Sequence, residues 1–180
     1  DDVPVEVYGN ILDVIQAELA PHMRRYARLR RRVLGLDKLL LCDVKAPLDA
    51  GYEPRLSYDE AADLIEQSVA VLGDEYRGLV RAALRERWVD RADNAGRVGG
   101  AFCAEVYGVH PYIMCTFTGS FTGAFGLAHE LGHAAHFGLA ARRQNLTNTR
   151  LSFFFAEVPS TLGEHLLALQ IRQRDRKSVV

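Results

Sequence analysis

The sequence lacks the features that mark a disulfide-stabilised, exported or membrane-spanning protein. Its 180 residues include three cysteines, Cys42, Cys103 and Cys115, and no C-x-x-C pair. An odd number without close spacing argues against a disulfide framework and favours a reducing compartment. No apolar run approaches the ~20 residues that span a bilayer, and no signal-peptide pattern is present. We therefore expect no membrane partner.

A dominant charge of one sign is also absent, since 22 basic and 23 acidic residues give a formal net charge of −1. No global field therefore draws the chain to nucleic acid or anionic lipid. The basic run "RRYARLRRR", Arg24 to Arg32, has two interpretations: a nucleic-acid stripe, or the solvated face of a helix. The recurrence of Tyr26, Leu29 and Val33 at helical spacing favours the helix. We expect no nucleic-acid partner.

Length and composition indicate one soluble globular domain over residues 1–180. Apolar residues make up 48% and charged residues 25% of the chain, as is ordinary for such a domain. The chain does not begin with Met and ends within the charged stretch "RQRDRKSVV". We therefore expect it to be part of a longer protein.

Hydrophobic periodicity predicts a mainly helical fold. A capping box formed by Ser57 and Glu60 begins one helix, and Gly73 ends it. The stretch "DKLLLCDVKAPL" is predicted to be a strand or extended segment. The predicted helices of this first region, residues 1–90, run from Val5 to Leu34 with a possible break at Pro21, from Ser57 to Gly73, and from Asp74 to Trp88.

The rest of the chain is predicted to contain a small sheet followed by a helix pair. Glycines, β-branched residues and aromatics in "NAGRVGGAFCAEVYGVHPYIMCTF" indicate a β-hairpin or strand pair within residues 91–120. Two helices follow within residues 121–180, from about Thr122 to Arg142 and from about Phe153 to Arg174. The expected fold class is mainly α, with a small hairpin or sheet beside the first of these helices.

A polar cluster lies within "LAHELGHAAHFG", residues 127–138. On a helix His129 and His133 point the same way, so two imidazoles can bind one zinc ion. Glu130 lies beside the open position of such a metal, where it can deprotonate a water molecule. This is the H-E-x-x-H pattern of metallopeptidases, which is rare by chance. We expect one zinc ion per chain, and a purely structural helical protein without metal is the least favoured alternative.

A catalytic zinc ion usually has a third protein ligand. Leu139 stands where a metzincin would have its third histidine, so that class is excluded. Glu157 is the only acidic residue between Glu130 and Glu164, and it is predicted to be the third ligand.

Two further polar residues near this motif have two interpretations each. Glu164 either accepts a hydrogen bond from a ligand histidine or is an exposed helix glutamate. His136 is either a packed histidine or a support for the ligands.

Three stretches resemble the oligoendopeptidase F and thimet oligopeptidase family of zinc peptidases: "AFCAEVYGVHPYI", "LAHELGHAAH" and "FAEVPSTLGE". The resemblance covers nearly the whole chain, and "LGLDKLLLCDVKAPL" and "ERWVD" are similar more loosely. It implies a mainly helical, cytoplasmic endopeptidase that acts on short peptides, with zinc ligands at His129, His133 and Glu157 and the catalytic base at Glu130. It also implies that the chain is the central part of a longer catalytic region.

Several positions depart from that family's pattern. Thr122 and Gly123 stand where acidic residues are common, Cys115 stands where a residue such as Asn is expected, and Pro159 replaces a small helix-former. The downstream groups that steady the oxyanion are not in this sequence, and His110 and Tyr112 are the nearby candidates for substrate contact, each equally consistent with a structural role. The alternative function is therefore a non-catalytic zinc-binding helical module, or an inactive fragment of such a peptidase.

Overall fold

Helices make up most of the structure, a computed structural model that describes residues 3–52, 54–150 and 152–178. The small sheet and the predominance of helix confirm the expected fold class. The chain divides into two units, Asp1–Glu53 and Pro54–Val180. The single domain over residues 1–180 stays a prediction.

The first unit is built on two helices, α1 (Val5–Val14) and α2 (Ala20–Val33), joined by a π-helical turn at Ile15–Leu19. Pro21 is the second residue of α2, which directly follows this turn, and the backbone stays helical from α1 into α2. The predicted strand in "DKLLLCDVKAPL" is wrong, because Leu41–Lys45 forms a 3₁₀ helix.

Side-chain hydrogen bonds explain why this segment is helical. The Leu40 amide donates to Asp43 Oδ2 at 2.8 Å, and the Arg30 guanidinium donates to the Asp43 carbonyl at 3.1 Å. These side-chain contacts hold the backbone in a tight turn, although the apolar run by itself favours an extended chain.

The second unit begins with the helices α3 (Tyr58–Ser68) and α4 (Asp74–Arg85). The predicted capping box is confirmed: the Glu60 amide donates to Ser57 Oγ at 3.2 Å, and the Ser57 amide donates to Glu60 Oε2 at 2.8 Å. α4 ends before the predicted Trp88, because Arg87 takes a positive φ of 66° that turns the chain into the sheet. Trp88 is instead a buried residue of the core.

The sheet has three short strands in the order β1-β3-β2. They are β1 (Val89–Asp90), β2 (Ala101–Ala104) and β3 (Tyr112–Cys115). β2 and β3 are antiparallel, with Cys103 opposite Ile113, and β1 runs parallel to β3. β2 and β3 lie in the predicted range of 91–120, whereas the two residues of β1 precede it and are too few to show a strand pattern.

The helices α5 (Phe121–Arg143) and α6 (Phe153–Ser178) complete the second unit. Ser120 caps α5 by accepting a hydrogen bond from the Gly123 amide at 3.0 Å. The two helices pack on each other and on the core, whose largest fully buried side chains are Ile65, Val80, Ile113, Leu127, Leu131 and Leu167. Within the described residues, no helix is both long and apolar enough to cross a membrane.

Candidate metal centre

The helix α5 presents His129 and His133 side by side. Residues four apart lie on the same face of a helix, one turn above each other. The two imidazole rings have centroids 5.0 Å apart and planes 78° apart. Both rings are only partly exposed, and their Nε2 atoms face the same point on the neighbouring helix, α6.

Glu157 of α6 supplies a carboxylate at that point. Its Oε2 atom lies 3.2 Å from His129 Nε2 and 3.5 Å from His133 Nε2. One ligand atom from each of the three residues lies within 4.8 Å of the other two. In the described part of the chain, no other group of histidine, cysteine, aspartate or glutamate side chains comes together in this way. Two imidazole nitrogens and one carboxylate oxygen form the donor set of catalytic zinc sites, so the residues fit that metal.

Glycines bring the two helices close enough for this contact. A Cβ atom at Gly132 of α5 would lie 2.7 Å from the Cα atom of Ser160 on α6. A Cβ atom at Gly163 of α6 would lie 2.8 Å from the carbonyl oxygen of Ala128 on α5. The helices therefore touch backbone to backbone at two places that flank the ligands, and any larger residue would separate them.

Two of the three ligand side chains, His129 and Glu157, are oriented by hydrogen bonds to other side chains. His129 Nδ1 lies 2.7 Å from Glu164 Oε1, and the backbone of Ala156 acts on the His133 ring in the direction that raises its pKa, against the larger effect of burial. Ser160 Oγ donates to Glu157 Oε2 at 2.8 Å, and the Ser160 side chain is fully buried. A proton held on His129 Nδ1 by Glu164 leaves the Nε2 lone pair free to bind a metal.

The residues that support the ligands differ in how well the sequence predicts them. The sequence allows Glu164 to be either a support of a ligand histidine or an exposed helix glutamate, and in the structure its Oε1 atom contacts His129 Nδ1. The backbone contact of Ala156 leaves no signal in the residue type, because any residue has a carbonyl group. Ser160 lies three residues after Glu157, and this helical spacing is the one sequence signal for its role.

The pKa values of the two glutamates, Glu157 and Glu130, are shifted in opposite directions. The hydrogen bond from Ser160 is the main reason why the pKa of Glu157 is below its ordinary value, and both ligand histidines lower it further. Burial raises the pKa of Glu130, the His129 charge opposes this, and Glu157 adds to it. Glu157 is thus held as a carboxylate that suits a ligand, whereas Glu130 is a buried group with higher proton affinity, which suits proton transfer.

Burial also keeps His133 in the form that a metal needs. It is the main reason why the pKa of this ring is below its ordinary value, although the Glu157 carboxylate opposes the shift. Only a neutral imidazole has a lone pair to offer a metal ion. Glu157 keeps 63% of its side chain exposed, so the centre is open on that side.

The remaining predicted site residues lie outside the group of three ligands. The His136 ring stacks on Phe137, and its Nδ1 atom is buried without a hydrogen-bond partner among the described residues. The His110 ring stacks on Trp88 at 4.5 Å, and its Nδ1 atom lies 2.8 Å from the Pro111 carbonyl. Tyr112 packs against His110 and is half exposed. The geometry gives His110 a structural contact, and substrate contact by His110 or Tyr112 stays a prediction.

The unusual Pro159 lies inside α6. It has no amide N–H to donate to the carbonyl of Phe155, one turn earlier. The helix nevertheless continues on both sides, and the Ser160 and Thr161 hydroxyls donate to the Glu157 carbonyl at 3.0 and 2.5 Å. Glu157 therefore remains on the face of α6 that meets α5.

The chain resembles known peptidases over most of its length. The model of peptidase family M3 matches residues 1–176. Oligopeptidase PepF of Bacillus subtilis is 37% identical over 169 residues, which cover 93% of this chain and 25% of that protein. An oligoendopeptidase F homolog of Borreliella burgdorferi is 34% identical over 170 residues, which cover 93% of this chain and 29% of that protein.

The fold is shared as well. A crystal structure from Chlamydophila abortus superposes on 96% of this chain and 29% of its own, with a TM-score of 0.81 and 31% identity. The chain thus spans between a quarter and a third of the length of the curated relatives named above.

Proposed function

Because the chain belongs to peptidase family M3, we propose that it carries the metal-binding core of a zinc-dependent endopeptidase that hydrolyses short peptides. The observation that carries the proposal is the meeting of His129, His133 and Glu157 at one point between α5 and α6. The relatives at 37% and 34% identity are an oligopeptidase and an oligoendopeptidase homolog, which supports short peptides as the substrate class. We place this activity in the cytoplasm, in keeping with the unpaired cysteines.

The three ligands would hold one zinc ion, which when bound supplies a Lewis acid for the scissile carbonyl and for a water molecule. His129 and His133 offer neutral imidazole nitrogens, and Glu157 offers a carboxylate that Ser160 keeps in place. Glu164 holds the His129 ring in the orientation and tautomer that direct Nε2 at the metal.

Glu130 is the proposed general base. It follows His129 on α5, is 7% exposed, and the charges of His129 and Glu157 both act on its carboxyl group. It would take a proton from the attacking water molecule and deliver it to the leaving amine nitrogen. Its raised pKa suits both transfers, because a group with too low a pKa would not retain the proton between them.

The alternative is a zinc-binding module in which the metal merely joins two helices. Structural zinc sites normally have four protein ligands, and catalytic sites have three with one open position. The described residues supply three, and the carboxylate of Glu157 is largely exposed. The ligand number therefore favours catalysis over a structural clamp.

Hydrolysis of a mixed fluorogenic peptide library by the zinc-loaded chain tests the proposal. Glu130→Gln should keep zinc bound at one ion per chain and lose cleavage by ~10²-fold or more, because the proton acceptor is gone. Glu157→Ala should weaken zinc binding by at least ~10-fold, because it removes one of three ligands.

Unchanged zinc affinity in Glu157→Ala would show that the third ligand is another residue. Equal cleavage by the parent chain and Glu130→Gln would rule out the proposed base. A folded, zinc-loaded parent without any cleavage would favour the non-catalytic alternative for this chain.

A further inference from the structure

A cavity of about 510 Å³ lies beside the C-terminal half of α5. Three segments form its walls: the β2–β3 loop, α5 itself, and residues 146–150. Their apolar lining includes Val106, Pro111, Phe137 and Leu146. A volume of this size accommodates one or two amino-acid side chains.

Phe137 connects this cavity to the metal ligands. It lies four residues after His133, about 6 Å farther along the helix axis. The rings of His133 and Phe137 stack at 6.1 Å with 15° between their planes. An extended peptide advances ~3.3 Å per residue, so a peptide bond held at the ligands lies within about two residues of the cavity.

Two opposite charges also line the cavity. Glu105 comes from the loop after β2, and Arg150 comes from the segment before α6. Neither takes part in a salt bridge with another residue of the described ranges. Arg150 is exposed, so its guanidinium group is available to an incoming carboxylate.

We propose that this cavity is a substrate subsite in which the apolar wall holds a peptide side chain and Arg150 binds a carboxylate group of the peptide. The proposal deepens the peptidase function given above and rests on it. Glu105 shares the cavity and repels carboxylates, so it limits how tightly an acidic group binds there. Arg150 therefore attracts a peptide carboxylate in this cavity, and Glu105 repels it.

Binding of matched peptides to the chain carrying Glu130→Gln tests this subsite without cleavage. The probes are a fluorescein-labelled pentapeptide ending in Phe as the free acid, the same peptide as the C-terminal amide, and an amidated peptide ending in Glu. Fluorescence anisotropy gives the dissociation constant of each, with and without zinc. Comparison of the free acid with the amidated Glu peptide shows whether the carboxylate comes from the terminus or from a side chain.

We expect a carboxylate-bearing peptide to bind about 3- to 10-fold more tightly than the neutral amide, as for a partly exposed charge pair. Arg150→Gln should abolish that preference, and Glu105→Gln should increase it. Arg172→Gln, which removes an exposed arginine on α6, should leave it unchanged. The preference should also decrease as salt is added.

Three results would overturn the subsite: no preference for a carboxylate in the parent, a preference that persists in Arg150→Gln, or no peptide binding by a folded chain. Failure of the proposed function is recognised separately, because it would show as absence of zinc binding. A carboxylate preference that depends on Arg150 in the zinc-free chain would still support the subsite.

Discussion

Replacement of Gly132 by alanine should weaken both the helix pair and the metal centre. A Cβ atom there would lie 2.7 Å from Ser160 Cα and 2.8 Å from the Pro159 carbonyl carbon, and it would also press on the Pro159 carbonyl oxygen. Non-bonded carbon atoms prefer a separation of ~3.5–4.0 Å. The obstacle is backbone rather than a flexible side chain, so α5 and α6 must move apart by about 1 Å.

The net effect on stability follows from two opposing contributions. Overpacking of this kind costs ~1–3 kcal/mol, and a backbone obstacle places Gly132→Ala near the upper end. Alanine regains ~1 kcal/mol over glycine inside a helix. We therefore expect a loss of about 2 kcal/mol in the free energy of unfolding.

The same displacement should also weaken metal binding. Zinc–ligand distances tolerate deviations of only ~0.2 Å, and Glu157 lies on the helix that must move. A displacement of about 1 Å should therefore reduce zinc affinity by at least ~10-fold, with His129 and His133 left as ligands.

Gly126→Ala is the matched control. Gly126 lies on the same helix, and among the described residues no atom beyond its chain neighbours and the adjoining helix backbone comes within 4 Å of a Cβ atom placed there. This variant should gain up to ~1 kcal/mol from helix propensity and keep its zinc affinity. Urea unfolding followed by the fluorescence of Trp88, the single tryptophan, reports on the unit that contains both helices. A Gly132→Ala chain as stable and as tight for zinc as Gly126→Ala would refute the close contact of α5 and α6.

Three further outcomes are expected from the site. Glu164→Gln should reduce zinc affinity by ~10-fold in a competition with a chromophoric chelator, because a neutral amide orients His129 Nδ1–H less strongly. An unchanged affinity would show that the 2.7 Å contact between Glu164 and His129 has no role in metal binding. Ser160→Ala should cost about 1 kcal/mol of stability and reduce zinc affinity several-fold, whereas Thr161→Ala, which leaves the Glu157 carboxylate bond intact, should affect zinc less. Burial is the main reason, with the Glu130 charge, why the pKa of the Cys103 thiol is raised to about 12 and that of the Cys115 thiol to about 11. At pH 7.5 a thiol reagent should therefore modify exposed Cys42 at least ~100-fold faster than these two, whose slow rates should rise with pH. Equal labelling of all three cysteines in peptide mapping by mass spectrometry would contradict this.

The sequence predicts best those features that depend on local spacing. His129 and His133 are four residues apart, and this alone places them on one helix face. The Ser57–Glu60 capping box is likewise a local pattern, and the structure contains it. The 3₁₀ helix at Leu41–Lys45 was not predicted, because it depends on Arg30, which lies well before it in the chain and donates to the Asp43 carbonyl.

The metal centre itself depends on a distance that no local pattern contains. Glu157 reaches the histidines because Gly132 and Gly163 let two backbones touch, and the sequence shows these glycines without showing what they face. Within a helix a glycine weakens the local structure, so propensity alone would count both positions as defects. Their cost is offset by the helix contact, which brings the carboxylate to 3.2 and 3.5 Å from the two imidazole nitrogens. The ligand residues and the small residues between them therefore act as one unit, and substitution of either kind should change metal binding.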